Sequence, residues 1–468
     1  MKDPAGILEE QARQDVRWKR KNRYYYESLE RIVGFHVPAG ASVLEIGCGP
    51  GDLLNALAPS RGVGIDISPA FVARAKAKFP HLDFIAGDAE SLPVDETFDY
   101  VVLSDLIGYL DDVQRAFDEL RRVCHPRTRV IVTYFNYLWH PVLKLGEKAG
   151  LKRPQSEQNW LALEDLTNLL SLAGFQTIRQ GYKLLLPIRI PLLSSFCNRV
   201  LANLPLFRKL SLVEVVVARP APVPVPEESL SVSVVIPARN ERGNVGNAIL
   251  RTPLMGRHTE FVFVEGNSSD GTAAEIERVI AARPDRDIKL VLQGDGRGKG
   301  DAVRKGFAAA TGDVLMILDA DLTVPPEELP KFFRALASGR GEFINGSRLV
   351  YAMEKQAMRF LNTLGNKFFS LAFTFLLGQR FKDTLCGTKV LYRRDYERIA
   401  AGRIYFGDFD PFGDFDLIFG AAKLDLKIVE VPIRYKDRTY GSTQISRFRH
   451  GWLLLRMVLF ALRRIKFV

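Results

Sequence analysis

Short apolar runs recur along the chain, and each stops at a polar or glycine step. In the first half they are Val43–Ile46, VGIDIS around Asp66, FIAGD before Asp88 and YVVLSD before Asp105. In the second half they are Ser233–Ile236, FVFVE ending at Glu265 and VLMIL ending at Leu318. Helix-like stretches separate them, and strand–helix alternation predicts sheets covered by helices, an α/β architecture. Residues 219–230 read RPAPVPVPEESL, where alternating prolines deny regular hydrogen bonding and favour an extended spacer. We therefore expect two Rossmann-like α/β domains, 1–218 and 231–450, joined by a Pro-rich linker at 219–230. A basic amphipathic helix is expected at 451–468. No internal repeat is evident, and the two halves carry different motifs.

The polar steps hold the chemistry. Val43–Ile46 enters a glycine-rich turn at Gly47, Gly49 and Gly51, and a helix is expected from Asp52. Such a turn lets the backbone approach a ligand and leaves helix N-terminal amides free. Asp66 ends the next strand, where Rossmann-like domains place an acid for ribose hydroxyls. In the second half, VLMILDADLT runs from a strand directly into Asp319 and Asp321. Side chains at i and i+2 of a strand share a face, so two carboxylates meet at a sheet edge, a donor set suited to Mg2+ or Mn2+ on a diphosphate. Three other D-x-D triplets, Asp285/Asp287, Asp408/Asp410 and Asp414/Asp416, follow no such run.

Charge changes the picture at the ends. Lys and Arg number 65 against 54 Asp and Glu, a formal net charge of +11. The segment from Val431 to Val468 concentrates basic residues around Asp437 as its one acid, which points to phosphate-bearing partners. An N-terminal cluster of Arg13, Arg17, Lys19, Arg20, Lys21 and Arg23, among which Glu9, Glu10, Asp15 and Glu27 intervene, reads as a solvated helix face. No nucleic-acid module is visible, so nucleic acid is not an expected partner. The four cysteines and six histidines are scattered, which implies reduced thiols rather than a disulfide frame or a zinc site. Met1–Glu10 is polar and gives no secretory signal. No apolar run reaches the roughly 18–20 residues that span a bilayer. FFSLAFTFLLG (368–378) and WLLLRMVLFALRRIKFV (452–468) suit a shallower, interfacial position. A cytoplasmic protein, peripheral on the inner membrane face or held there by a membrane-protein partner, is expected.

Residues 20–218 resemble class I S-adenosylmethionine-dependent methyltransferases, through E-x-G-x-G-x-G at Glu45–Gly51 and the ordered acids Asp66 and Asp88. The turn departs from the dinucleotide pattern G-x-G-x-x-G. The resemblance implies S-adenosyl-L-methionine as cofactor, Glu45, Gly47, Gly49 and Gly51 in its cradle, Asp66 on the ribose, and Asp88 with Ala89 beside the adenine. Tyr24–Tyr26 and Asp105 line an acceptor pocket or pack as core and lid.

Residues 231–450 resemble family-2 inverting glycosyltransferases of GT-A fold, most nearly the polyprenyl-phosphate mannose synthase branch. The resemblance implies nucleotide-sugar contacts at Pro237, Ala238, Asn240, Glu241, Glu265, Lys299 and Arg304. Glu265 and Gly266 stand where the family has paired aspartates. Asp319 and Asp321 would hold the metal, and Arg348 would reach phosphate. Lys389, Arg434, Arg438, Ser442 and Gln444 would hold the phosphate of a lipid acceptor. An anionic phosphate needs no general base, whereas a sugar hydroxyl does. Asp383 is then the candidate base, with Asp414 and Asp416 as competitors. Two enzymes in one chain are thus expected; the alternative pairs a hydroxyl-directed glycosyltransferase with a non-catalytic S-adenosylmethionine-binding scaffold.

Overall fold

The computed structural model describes residues 17–152, 159–348, 360–405, 415–438, 440 and 447–466. Apart from the last three residues, the chain divides into two compact units between Ala221 and Pro222. Each has its own seven-stranded sheet.

In the first unit the strands are β1 (Ser42–Ile46), β2 (Arg61–Asp66), β3 (Asp83–Ala86), β4 (Phe98–Ser104), β5 (Cys124–Phe135), β6 (Phe175–Lys183) and β7 (Val213–Pro220). Their order is β3-β2-β1-β4-β5-β7-β6, with β7 antiparallel to both neighbours and β1–β5 parallel. Side chains alternate between two cores. Leu44, Ile46, Val101 and Leu103 enter one, and Val43, Tyr100 and Val102 enter the other. The strand order reverses at β1, so the crevice beyond the carboxyl ends of β1 and β4 is the natural ligand position.

The second unit contains β8 (Ser231–Ala238), β9 (His258–Glu265), β10 (Asp287–Leu292), β11 (Val314–Ile317), β12 (Phe343–Ser347), β13 (Lys389–Tyr392) and β14 (Ile428–Pro432). The order is β10-β9-β8-β11-β13-β12-β14. From β10 to β11 all pairs are parallel, and β13 runs antiparallel between β11 and β12. Here the order reverses at β8, beside β11 and its two aspartates.

The Pro-rich segment starts in regular structure: Arg219 and Pro220 still belong to β7, paired with Gln176 and Phe175. Pro220 is tolerated because it ends the strand, where a missing N–H costs little. The C-terminal helix begins at Arg447 and runs to Ala461. It buries Met457, Val458 and Ala461 and leaves Trp452 and Leu459 exposed. The run 368–378 lies in the helix Phe360–Leu377. Its Phe373 packs against Phe381, Phe415 and Phe419, with ring centroids 6.1, 5.3 and 5.5 Å away. Among the described residues, no helix is long and apolar enough to cross a membrane.

Candidate active sites

Beyond β1 the chain takes three left-handed steps, with φ of 74° at Gly47, 52° at Gly49 and 79° at Gly51. Side chains are also excluded sterically: a Cβ on Gly47 would lie 2.9 Å from Leu106, and one on Gly51 2.6 Å from Phe84. Above Gly49 the space is open. Asp66, at the end of β2, accepts the Gly49 amide at 2.8 Å and the Ser68 amide at 2.9 Å. One carboxylate thereby fixes both turns at the mouth of the crevice. Ile67, next to it, is exposed and offers an apolar face that the motif alone did not single out. Asp88 accepts the Glu90 amide at 2.9 Å, and Ala89 is buried beside it.

Glu45 points from β1 into the interior, where burial pushes its carboxyl up to about 8 against the pull of Lys19. Its Oε2 is buried without a hydrogen-bond partner among the described residues. A side-chain-free cradle next to an unpartnered acceptor fits a cationic ligand such as S-adenosylmethionine. Just past β4, Asp105 has φ of 54° and is half-buried. Tyr25 donates its hydroxyl to Asp105 Oδ2 at 2.6 Å, while Oδ1 has no partner among the described residues. Burial pushes Asp105 up to about 6, although Tyr25 and Lys152 act the other way. Of the three tyrosines, Tyr25 is thus both core, stacked 5.8 Å from Phe135, and site.

In the second unit, Leu318 still bonds the Val235 carbonyl, so Asp319 and Asp321 fall just past the β8–β11 ladder. Asp319 meets Lys299 Nζ at 2.6 Å, from the first turn of the helix Gly298–Ala309. Burial raises the Asp319 carboxyl, but Lys299, Lys389 and Arg348 outweigh it and hold it below the ordinary range. Gly387 leaves no room for a side chain, since a Cβ there would collide with both Asp319 and Lys299. Asp321 Oδ1 accepts the amide and hydroxyl of Thr323, at 3.1 and 2.9 Å. Its Oδ2 takes Arg438 at 2.6 Å, and the other arm of that guanidinium reaches Glu241 at 3.0 Å. Arg438 therefore clasps the ends of β8 and β11 together. The Lys436 amide, bonded to the Thr323 carbonyl at 2.9 Å, lays this segment along the aspartates.

The other expected residues separate into groups. Pro237 and Ala238 end β8, and Asn240, at φ 57°, ties its turn to Ser268 and Ser269. Glu265 accepts the amides of Asn267 and Ser268 and thereby caps its own loop. Arg304 approaches Asp416 at 4.0 Å. Lys389 is buried and donates to the Cys386 carbonyl. Arg434 is exposed. Ser442, Gln444 and Asp414 lie outside the described residues. Asp383 and Arg348 form one bidentate pair, with 2.7 Å from Nε and 2.8 Å from the terminal nitrogen. The Arg348 and Leu385 amides complete the carboxylate at 2.9 and 3.1 Å. All of Asp383 is engaged and none of its side chain is exposed. Nothing in the spacing of these residues linked Asp383 to Arg348 or Arg438 to Asp321, because long-range pairing leaves no local pattern.

Residues 44–132 match the family model for a methyltransferase domain, and 233–399 match the one for Glycosyl transferase family 2. By these matches the chain carries a class I S-adenosylmethionine-dependent methyltransferase domain followed by a family-2 glycosyltransferase domain of GT-A type. The dolichol-phosphate mannosyltransferase of Pyrococcus furiosus is 30% identical over 221 residues, 46% of this chain and 60% of that protein. The undecaprenyl-phosphate 4-deoxy-4-formamido-L-arabinose transferase of Edwardsiella ictaluri is 40% identical over 219 residues, 46% of this chain and 62% of its own. The chain thus spans less than two thirds of these relatives. A methyltransferase structure from Thermotoga maritima, described as a possible histamine N-methyltransferase, is 20% identical and covers 46% of this chain and 98% of its own, with a TM-score of 0.37. A likeness of that size carries no argument about substrate.

Proposed function

We propose that the second unit transfers a sugar, with inversion, from a nucleotide diphosphate sugar to a polyprenyl phosphate. The observation that carries this is the clasped carboxylate pair: Asp319 and Asp321 at the β8–β11 reversal, each held by a cation from another element. Two carboxylates leave the remaining coordination positions of Mg2+ or Mn2+ to water and donor phosphate, so the residues fit such an ion. When bound, it supplies charge neutralisation to the leaving diphosphate. Lys299 and Arg438 lie against the same carboxylates and can exchange them for phosphate oxygens. Pro237, Ala238, Asn240, Glu241 and Glu265 would hold the nucleoside.

A phosphate oxygen of the acceptor attacks the anomeric carbon as the carbon–oxygen bond to the diphosphate breaks, and the electron pair leaves with the diphosphate. No proton has to move. That matches Asp383, whose four accepted hydrogen bonds leave it no role as a base. The reading with a hydroxyl acceptor and Asp383 as base is correspondingly disfavoured. Asp383 instead orients Arg348, and the exposed Arg434 would meet the acceptor phosphate. The relatives named for dolichol phosphate and undecaprenyl phosphate support a lipid acceptor. A peripheral, cytoplasmic-face location belongs to the same reading, with the helix from Arg447 forming part of the catalytic unit rather than an appendage beginning at 451. The test is transfer of label from nucleotide-sugars to an organic-soluble, mild-acid-labile product, lost in Asp321→Asn. Label confined to water-soluble material refutes a lipid acceptor.

The first unit, in this reading, methylates an acceptor that donates a hydrogen bond to Asp105. Asp66 orients the cofactor, Glu45 faces its positive charge, and Asp105, steadied by Tyr25, takes the acceptor proton. Calorimetric binding of S-adenosylmethionine, abolished by Asp66→Ala, tests the cofactor site. Absence of binding to the unaltered protein refutes it.

A further inference from the structure

The connection from β6 to β7 is built inside out. Residues 184–212 fold as a helix (Leu193–Arg199) and two short turns, far longer than an ordinary strand connection. Its polar side chains hold it together. Ser194 Oγ donates to the Ile188 carbonyl at 2.6 Å and accepts the Ile190 amide at 2.7 Å. Asn198 brackets Leu186, bonding its amide at 2.7 Å and its carbonyl at 2.8 Å. Large apolar side chains are turned outward instead: Ile188 is 56% exposed, Leu192 89%, Phe196 52% and Leu206 79%. Leu192 even occupies the left-handed region, with φ of 63°. An exposed apolar cluster of this kind marks an interaction surface.

Charge identifies the partner. Between Asp165 and Glu214 the chain has no acidic residue, yet it carries Lys183, Arg189, Arg199, Arg208 and Lys209. A cavity of about 310 Å³ opens beside the segment, lined by Arg31, Lys183, Arg189, Arg199, Ser195 and Asn198, with no carboxylate in its wall. Lys183, Arg189 and Arg199 form no ion pair among the described residues. Burial and Arg179 push Lys183 down to about 8, as expected of a cation without a counter-ion.

We propose that the methyltransferase unit docks on an anionic phospholipid leaflet through residues 186–210, with a headgroup phosphate in the Arg189/Arg199 cavity. Apolar side chains enter the acyl boundary while the basic residues meet the lipid charge. The proposal is independent of the glycosyltransferase acceptor, because all its residues lie in the first unit.

The test is flotation of the full chain with phosphatidylglycerol-containing and with pure phosphatidylcholine vesicles. Binding is expected to the former only and to weaken with salt. At about fivefold per charge near the surface, Arg189→Gln/Arg199→Gln is expected to lose roughly 25-fold in partitioning. Leu192→Ser/Leu206→Ser is expected to lose at least about tenfold. Calorimetry with S-adenosylmethionine confirms that both variants remain folded, and vesicles are expected to slow amide exchange across 186–210. The proposal is overturned if both double variants float like the wild type. It is also overturned if only Trp452→Ser, on the C-terminal helix, abolishes binding. A wild-type dimer dispersed by Leu192→Ser/Leu206→Ser would assign the surface to a second copy and overturn it too, as would equal binding of inorganic phosphate and vesicles at the cavity.

Discussion

Replacing Asp383 by Asn separates the two readings of the glycosyltransferase site. Four donors converge on that carboxylate, and its side chain is fully buried while that of Arg348 is 12% exposed. Asn keeps one acceptor oxygen, so about two donors lose their partner and the guanidinium loses its counter-charge. Breaking a buried pair in this way costs about 3–5 kcal/mol. For a unit of this size that is roughly a 10 °C fall in its melting transition. The pair also sets a pH signature. Arg348, against the cost of burial, holds the Asp383 carboxyl below its ordinary range. Its stabilisation is therefore present above the ordinary aspartate value and is lost as pH falls through the depressed folded value. The stability gap between wild type and Asp383→Asn should persist at neutral pH and close only in acid. Calorimetric scans across pH, run beside sugar-transfer assays, measure both. A variant with unchanged melting temperature but with turnover down a hundredfold and the acid limb of its pH–rate profile removed would make Asp383 the base and refute this account.

Other expectations follow from the same geometry. Gly387→Ala should fold normally but lose most sugar transfer, because its methyl displaces Asp319 from Lys299; unchanged kcat/KM would contradict the packing. Arg438→Lys can reach only one of Glu241 and Asp321, so less than about a tenth of turnover should remain in steady-state assays. Glu45, buried and raised to about 8, favours the folded state while protonated, and that stability is lost as pH rises through 8. Glu45→Gln should therefore flatten the loss of stability of the ligand-free protein between pH 4.5 and about 8 in urea titrations, while weakening S-adenosylmethionine binding at least about tenfold. Asp105→Asn should retain cofactor binding in calorimetry but lose methyl transfer.

Much of both sites was legible because strand ends announce themselves. VLEIGCGPGD shows a strand, a turn that tolerates only glycine and a helix start, and Gly47–Gly51 take those conformations. VLMILDAD likewise places two acids just past a buried strand. What stayed hidden depends on contacts between distant residues. Arg438 lies 117 positions from Asp321, and Asp383 35 from Arg348, so no local period encodes either pair. β7 runs through Pro220, into the segment expected as linker, for a different reason. Arg219 and Pro220 look like the start of a proline spacer, but an edge-compatible proline can end a strand whose pairing is set by Phe175 and Gln176. The β6–β7 connection at 184–212 is equally silent in sequence, since apolar residues on a short helix read as core until their exposure is seen.

The central claim, sugar transfer from a nucleotide diphosphate sugar to a lipid phosphate at the Asp319/Asp321 site, rests most directly on one assay. The full chain is incubated with polyprenyl phosphate vesicles, a divalent cation and a panel of labelled nucleotide-sugars, beside Asp321→Asn. The account predicts an organic-soluble, mild-acid-labile product from at least one donor, absent with the variant. Label only in water-soluble material, or equal product from Asp321→Asn, would contradict it.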